Sequence, residues 1–467
     1  MSILIKESDE PVTDQRQLVE YFAHAAKPKD EWLIGCEHEK FPFRLSTLKP
    51  VGYGEPQGMR DLLLGLKQFG WQPVMEGENI IGLSRDRAAI SFEPGEQLEL
   101  AGSPLKNLHE VDAETAQHLS EAGRLAEQLG IGFLGMGFHP TATRDDISWV
   151  PKQRYKIMRE YMPKRGSLGL DMMLRTCTVQ VNLDYADEND MAKKLRVGLA
   201  LQPVATALFA SSPFKEGKPS GFNSTRMSCW QDTDPDRSGS LPFAFEKNFG
   251  YERYTDYALD VPMYFVYRDG HYIDCTGQSF RDFLSGKLPT LPGEHPTMTD
   301  WANHLTTLFP DVRLKKIIEM RGADVGSAEM MQALPAFWVG LLYDSLALDA
   351  AWDLVKNWQP QDRIKFHDDV PRLGLAASAG GRSLLEIARE ALKIAQKGLQ
   401  HRAIKLDNGP DETRYLEPLL TIAESGRNRA DRLLAAGRRA DFRIESLFET
   451  ERLQGGNRAK PSLRAHE

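Results

Sequence analysis

Residues 176–184 alternate strictly, with Thr178, Gln180 and Asn182 on one side and Val179, Val181 and Leu183 on the other. Side chains in a strand point to opposite faces with period two, so this stretch demands a sheet with one apolar face and one polar face. Three further segments carry the same signature. In residues 34–41 Glu37 and Glu39 share a face, after Ser91 the pair Gln97 and Glu99 does so, with Glu93 just before a Pro-Gly turn, and in residues 317–324 Glu319 stands with Arg321. Any one of these is explained about equally well by a solvated strand face. Four together, with glutamates in three and an arginine beside one, favour a single sheet face that collects carboxylates.

The rest of the chain indicates what surrounds that sheet. Residues 14–26 have helical amphipathic spacing, residues 32–43 read as a strand, and residues 56–69 form a helix closed by Gly70. Strands at 71–75, 79–83 and 88–91, separated by Glu76-Gly77 and Arg85-Asp86, suit an antiparallel meander. Helices follow at 105–129, 151–161 and 189–210, with a strand at 174–183 between the last two, and Asp269-Gly270 marks a hairpin. Beyond Asp324 the pattern is almost wholly helical, and Ser383 with Glu386 forms a capping box. Strands gathered before Asp324 and helices after it predict an α+β fold. Residues 334–355, the most apolar long stretch, are interrupted by Asp344 and Asp349, fall short of a membrane span, and read as one buried core helix. From about Gly426 the arginine-rich, polar end reads as a solvated helix with a frayed tail.

Familiar motifs fail on context. Gly130, Gly132 and Gly135 match GxGxxG but follow a helix, so they read as helix termination and a glycine-rich strand. No P-loop sequence is present. Asp232, Asp234 and Asp236 imitate an EF-hand, yet Arg237 stands where its glycine belongs and Phe243 where its glutamate belongs, so a polar loop is expected. Eleven histidines show no metal-ligand spacing, and four distant cysteines, Cys36, Cys177, Cys229 and Cys275, signal neither zinc nor a disulfide framework.

With 41% hydrophobic residues, 27% charged residues and a net charge of -8, the composition of the 467 residues is that of a soluble globular protein. Nonspecific binding to nucleic acid or membrane is not expected of it. The opening MSILIKESDEPV has neither the basic start nor the apolar run of a secretory signal and is too acidic for a transit peptide, which leads to an expected cytoplasmic location.

Magnesium takes hard oxygen ligands and is typically shared between carboxylates and substrate phosphates. Several strands presenting carboxylates to one face meet that demand, and an arginine such as Arg321 suits phosphate. The residues alone therefore indicate an enzyme that handles metal and phosphate, and they leave its substrate open.

At these segments the chain resembles the plant and proteobacterial glutamate–cysteine ligases, a branch of the glutamine-synthetase-like carboxylate–amine ligases. The resembling stretches include GCEHEKF, GFLGMGF, GSLGLDMMLRTCTVQVNLD, GLALQPVATALFA, DCTGQSFRDFL, IEMRGAD and LPAFWVGLLYD, and they run from about residue 32 to about residue 400. The resemblance implies a curved, mostly antiparallel sheet flanked by helices, with a catalytic domain over residues 1–400 and a helical C-terminal extension over 401–467 ending in a polar tail. It implies ATP as co-substrate and magnesium, with manganese as a substitute, as cofactor. ATP would phosphorylate the γ-carboxylate of glutamate, and the amine of cysteine would displace phosphate.

By the same resemblance Glu37, Glu39, Glu93, Glu99 and Glu319 correspond to metal ligands, and Arg321 to an arginine that steadies ATP phosphates. Gln180 corresponds to a further ligand or substrate contact and Arg226 to the arginine that binds glutamate, with Arg175 a second candidate for that task. Taken alone, Arg226 reads as a surface ion pair. Tyr264 and Tyr267 are candidates for shaping a cysteine pocket. The expected partners are small molecules only, glutamate, cysteine and ATP, acting on a monomer or weak homodimer. Plant members carry regulatory disulfides, but Thr290 and Asp112 stand here where cysteines are implied, so redox-controlled dimerisation is not expected. A related ligase with another amine acceptor is the nearest alternative. A noncatalytic nucleotide-binding protein and a metal-dependent hydrolase are more distant ones.

Overall fold

The computed structural model describes residues 4–406, 409–439 and 443–453. Its framework is a ten-stranded sheet. In chain order the strands are β1 (Ile34–Arg44), β2 (Gln72–Glu76), β3 (Asn79–Arg85), β4 (Ala88–Phe92), β5 (Leu98–Ala101), β6 (Ile131–Leu134), β7 (Thr178–Leu183), β8 (Val312–Leu314), β9 (Ile318–Asp324) and β10 (Arg452–Leu453). They lie in the order β8-β9-β7-β1-β5-β4-β3-β2, and β6 bridges the far end of β1 to β10. Every pairing in this sheet is antiparallel.

Residues directly opposite one another in neighbouring strands share a face. Glu37 stands opposite Gln180 and Glu39 opposite Glu99. Ser91 faces Glu99 from β4, while Glu319 stands opposite Asn182 and Arg313 opposite Glu319. One face of the sheet is thus polar from β4 to β8. On the other face Val179, Val181, Leu183, Met320, Leu98, Leu100 and Ile90 are buried. Each such aliphatic side chain contributes roughly 1.5–3 kcal/mol by leaving water. Lys40, between Glu39 and Phe41, also lies on that covered face. Its Nζ donates to the Leu98 carbonyl (3.2 Å) and sits 3.0 Å from His118 Nε2, and burial pulls its pKa down to about 7.

The covering helices are locally specified. In α1 (Gln15–Ala23) Asp14 and Gln17 form a capping box. The helix α2 (Met59–Leu66) runs into a 3-10 turn that ends at Gly70, whose φ of 88° suits glycine. Asn107 caps α3 (Leu108–Gln128), which packs against β1 and β6. After α3, Gly130 takes a left-handed conformation and β6 follows, as expected for that glycine run. Next come α4 (Gln153–Tyr161), α5 (Gly169–Arg175), α6 (Glu188–Phe209) and α7 (Thr225–Gln231). The later helices include α8 (Ala328–Leu342), α9 (Ser345–Val355), α10 (Pro360–Leu373) and α11 (Leu384–Arg402), with α6 packed on β9 and α8 on β7.

Two expectations need correction. The strand expected over 174–183 begins only at Thr178, because residues 169–175 are helical. Asp171 and Arg175 form an i,i+4 ion pair that favours the helix, and the Thr176 hydroxyl closes its end by donating to the Met172 carbonyl (2.7 Å). The single helix expected over 334–355 is two helices, since Asp344 breaks it and caps the second by accepting from Ala347 N (2.9 Å).

The aspartates of the false EF-hand form a polar loop held by cations: Asp234 pairs with Arg237 (2.7 Å) and Asp236 with Arg165 (2.5 Å). Near the C-terminus Arg429–Arg439 is helical, but Arg429 pairs with Glu451 instead of facing water freely. The polar tail beyond Leu453 lies outside the described residues. The helix α11 runs across residue 400, Glu412 caps α3 through Leu108 N (2.7 Å), and β10 joins the main sheet. All four cysteines are unpaired and buried. Among the described residues no helix is long and apolar enough to cross a membrane.

Another helix of the helical C-terminal part, α10, comes up to the residue before β8, where its His367 Nε2 lies 3.4 Å from the Asp311 carboxylate. Burial alone would lower the pKa of this imidazole, but Asp311 and Asp368 outweigh it and raise it to about 9. A raised folded pKa means stability that is fully present below the unfolded value of about 6.5 and lost as pH rises toward 9. The melting-temperature gap between wild type and His367→Gln is therefore expected to shrink from pH 6.5 to pH 9. A gap independent of pH would contradict the pairing.

Candidate active site

The polar sheet face floors a cavity with about 730 Å³ of empty space, walled by residues of α4, α5 and α7 and by Thr306 and Phe309. Six of the candidate site residues named from sequence line it, Glu39, Glu93, Glu99, Gln180, Arg226 and Arg321, together with Gln97 and Thr178 of the same polar strand faces.

The carboxylates fall into two groups. Glu39 and Glu99 are neighbours across β1 and β5. Glu39 accepts from Thr178 N (2.9 Å) and Glu99 from the Ser91 hydroxyl (2.8 Å), while Glu93 lies 3.5 Å from the Tyr155 hydroxyl. Burial, reinforced by Glu93 and Glu99, holds the Glu39 carboxyl well above the usual range. Burial also pushes Glu99 up to about 6, with Glu93 and Glu37 adding to the effect. Glu39 and Glu99, raised by burial and by neighbouring carboxylates, would be relieved by a cation. Lys152, buried beside them with its pKa lowered by burial to about 8, donates to the Phe92 carbonyl (2.7 Å).

Glu319 is the opposite case. Burial alone would raise its pKa, yet Arg313, Lys315 and Arg321 hold it well below the carboxylate range. Both of its oxygens accept from Arg313, at 2.5 and 3.0 Å, and the side chain lies behind the cavity wall. Glu37 is likewise behind the lining, buried, and accepts from Asn182 Nδ2 (2.8 Å). Among the described residues no three His, Cys, Asp or Glu side chains converge into a preformed metal cage. Such a cage is not what magnesium needs, since it usually borrows phosphate oxygens and water for most of its six positions.

Arginines make the other half of the site. Arg321 Nη1 donates to Gln180 Oε1 (2.8 Å), and its guanidinium sits between the rings of Trp230 (5.7 Å) and Phe309 (5.9 Å). Arg226 is buried on α7, and its Nη2 donates to the Arg321 carbonyl (2.9 Å), while its Nε and Nη1 have no hydrogen-bond partner among the described residues. An unsatisfied guanidinium inside a protein is costly, so its open donors mark a place for an anion. Its surface-ion-pair reading therefore fails.

Two candidates lie elsewhere. Arg175 ends α5, outside the cavity lining, where Asp171, Glu216 (2.8 Å) and the Ala142 carbonyl (2.8 Å) hold its terminal nitrogens. Its helical backbone turns it away from the direction a strand would have given it. Tyr264 is buried under the Arg237 guanidinium (3.8 Å) and backs Phe309 from behind the wall. Tyr267, on the neighbouring hairpin, packs against Tyr272.

Sequence reading missed Arg154, Arg313, Trp230 and Phe309, all of which line the cavity. Arg313 had a legible signal: Val312-Arg-Leu and Ile318-Glu-Met flank a Lys315-Lys316 turn, which sets Arg313 opposite Glu319 in a hairpin. Arg154 had none, because an arginine on an amphipathic helix normally faces water.

Comparisons with known proteins agree with this arrangement. The profile of the family described as "Glutamate-cysteine ligase family 2" matches residues 33–450. A chloroplastic glutamate–cysteine ligase of Brassica juncea is 53% identical over 91% of this chain and 81% of its own length. The chloroplastic enzyme of Arabidopsis thaliana is also 53% identical, over 91% of this chain and 80% of its own. A glutamate–cysteine ligase from Francisella tularensis, solved in complex with AMP, shares the fold with a TM-score of 0.56 at 12% identity, over 90% of this chain and 87% of that one. The relatives' chloroplastic location overturns the expected cytoplasmic one, which had rested on N-terminal composition and on the missing partner cysteines. With the match spanning nearly the whole chain and relatives at 53% identity, the chain belongs to glutamate-cysteine ligase family 2.

Proposed function

We propose that this cavity joins the γ-carboxylate of glutamate to the amine of cysteine, with cleavage of ATP to ADP and phosphate. The observation that carries the reading is that one cavity is lined by both kinds of group. Glu39 and Glu99, whose carboxyls are raised by burial and by neighbouring glutamates, line it together with Arg226, a buried arginine with open donors. Substrates that between them carry phosphate and carboxylate, brought in with a divalent cation, satisfy both halves. The names of the relatives specify which ligation this is.

In the first step an oxygen of the γ-carboxylate attacks the terminal phosphorus of ATP and the bond to ADP breaks. In the second the cysteine nitrogen attacks the acyl carbon, phosphate leaves, and the nitrogen loses a proton. Neither step needs a protein nucleophile, so positioning and charge neutralisation do most of the work. Arg226 offers Nε and Nη1 to a carboxylate of glutamate, and Arg321, held by Gln180 and framed by Trp230 and Phe309, steadies phosphate oxygens.

Glu39, Glu93 and Glu99 are the residues fitted to hold magnesium or manganese, with Glu37 next to them in the sheet. Bound there, the cation would supply neutralisation of the phosphate charge. Glu319 would join that set only by giving up an Arg313 hydrogen bond to the cation. Arg313 otherwise fixes it, donating also to the Thr306 (2.8 Å) and Leu308 (2.7 Å) carbonyls.

The test is Arg226→Ala. Its KM for glutamate is expected to rise about 100-fold, the loss of a charge-assisted bidentate contact, with the KM for ATP nearly unchanged. Equal rises for both substrates would remove Arg226 from the glutamate subsite.

A further inference from the structure

Arg226 is held at two places, and both holds originate in strand β9. At its tip, Nη2 donates to the carbonyl of Arg321. At its root lies the carboxylate of Asp324, three residues further along the same strand and buried. The register of β9 against β7 shifts between Met320 and Ala323, and this irregularity separates the two anchors.

The Asp324 carboxylate reaches α7 through a pair of serines. Its Oδ2 accepts from the Ser212 hydroxyl (2.6 Å) and from Ser211 N (2.9 Å), and its Oδ1 accepts from the Ser224 hydroxyl (2.8 Å). Each serine oxygen in turn accepts a main-chain N–H from the first turn of α7: Ser212 from Arg226 (3.3 Å) and Ser224 from Met227 (3.0 Å). The carboxylate thus orients both hydroxyls, and the hydroxyls seat the backbone that carries Arg226 and, one turn on, Trp230. There is no slack in the cradle, because a Cβ built on Gly137 would stand 2.2 Å from the Asp324 carboxyl carbon.

We infer that Asp324 is a positioning residue for substrate recognition, setting the direction of the Arg226 guanidinium through Ser212 and Ser224. The inference rests on the reading of Arg226 given above. An ordinary buried aspartate needs only to be satisfied, whereas this one spends its acceptors on two hydroxyls whose remaining lone pairs fix one short helix. Asparagine at this position would present an NH2 to one donor that now meets an oxygen, turning that side of the cradle into a donor–donor contact. Small displacements of a recognition group are enough to lower turnover about 100-fold.

The experiment compares Asp324→Asn, Ser212→Ala, Arg226→Ala and the double variant D324N/R226A, each measured for KM of glutamate, KM of ATP and kcat, with melting temperature as a check on folding. D324N and S212A are expected to raise the KM for glutamate by about 10-fold to 100-fold with ATP affected less than about 2-fold. The double variant should be no worse than R226A, since a residue acting through another adds nothing once that other is gone. If D324N does not fold, S212A alone decides between the outcomes, as it removes one hydroxyl and keeps the carboxylate. Normal glutamate KM in S212A and D324N, or effects that simply add in the double variant, would overturn the inference even where R226A behaves as expected. If instead R226A weakens ATP and glutamate alike, it is the role of Arg226 that fails. The coupling between Asp324 and Arg226 is then judged on kcat by the same additivity.

Discussion

Arg321→Ala is expected to lower kcat about 1000-fold, on the scale of arginines that stabilise a transferring phosphoryl group. The side chain, 12% exposed, is held by Gln180 Oε1 and the nearby Glu319 (3.4 Å), with the rings of Trp230 and Phe309 beside it. Lysine is not expected to rescue it, since a point charge cannot present two parallel donors to phosphate oxygens. Burial lowers the pKa of Arg321 to about 10, with Arg313 adding to the effect, so it stays charged at every pH at which the enzyme would be assayed. A steady-state kcat for ADP formation within about 10-fold of wild type would remove Arg321 from the phosphate site.

The second large effect comes as a pair of opposite signs. Glu39→Gln is expected to lower turnover roughly 100-fold to 1000-fold, because it withdraws a charged oxygen from the place where phosphate charge is neutralised. In the absence of divalent cation the same substitution should leave the melting temperature unchanged or raised, since the carboxyl it replaces is already forced toward its neutral form by burial and by Glu93 and Glu99. Glu319→Gln should also impair turnover, but it breaks a buried pair and strands the Arg313 cation, at about 3–5 kcal/mol of stability. Thermal unfolding of the two variants without metal separates these cases. Equal destabilisation would mean that the two glutamates share one environment, against the electrostatics described here.

Much of the floor of the site was legible because strand periodicity is a local property. Glu37 and Glu39 had to share a face, and so did Gln180 and Asn182, whatever the rest of the chain did. Which strands would lie side by side was not legible from spacing alone. That Glu39 meets Glu99, and Glu37 meets Gln180, depends on pairings between residues 60 apart in one case and 143 apart in the other. The false EF-hand and the false dinucleotide motif were rejected on local grounds, and the structure agrees, with cations on the aspartates and a strand after Gly130.

The misses have physical causes. Arg175 was offered by the resemblance as a second glutamate-binding arginine, and the helix it ends instead holds it buried against Asp171, Glu216 and the Ala142 carbonyl, outside the cavity lining. Tyr264 was placed by residue type, but its ring is used to pack Phe309 and to carry Arg237. Asp324 was read only as the end of a motif, because the serines that give it a task lie about 100 residues away in sequence, Ser212 at a separation of 112 and Ser224 at 100.

ADP release with ATP, magnesium, glutamate and cysteine, repeated with each component withheld in turn, tests the ligase reading most directly. Turnover that needs all four and yields γ-glutamylcysteine is the expected result. ADP release indifferent to cysteine would contradict it.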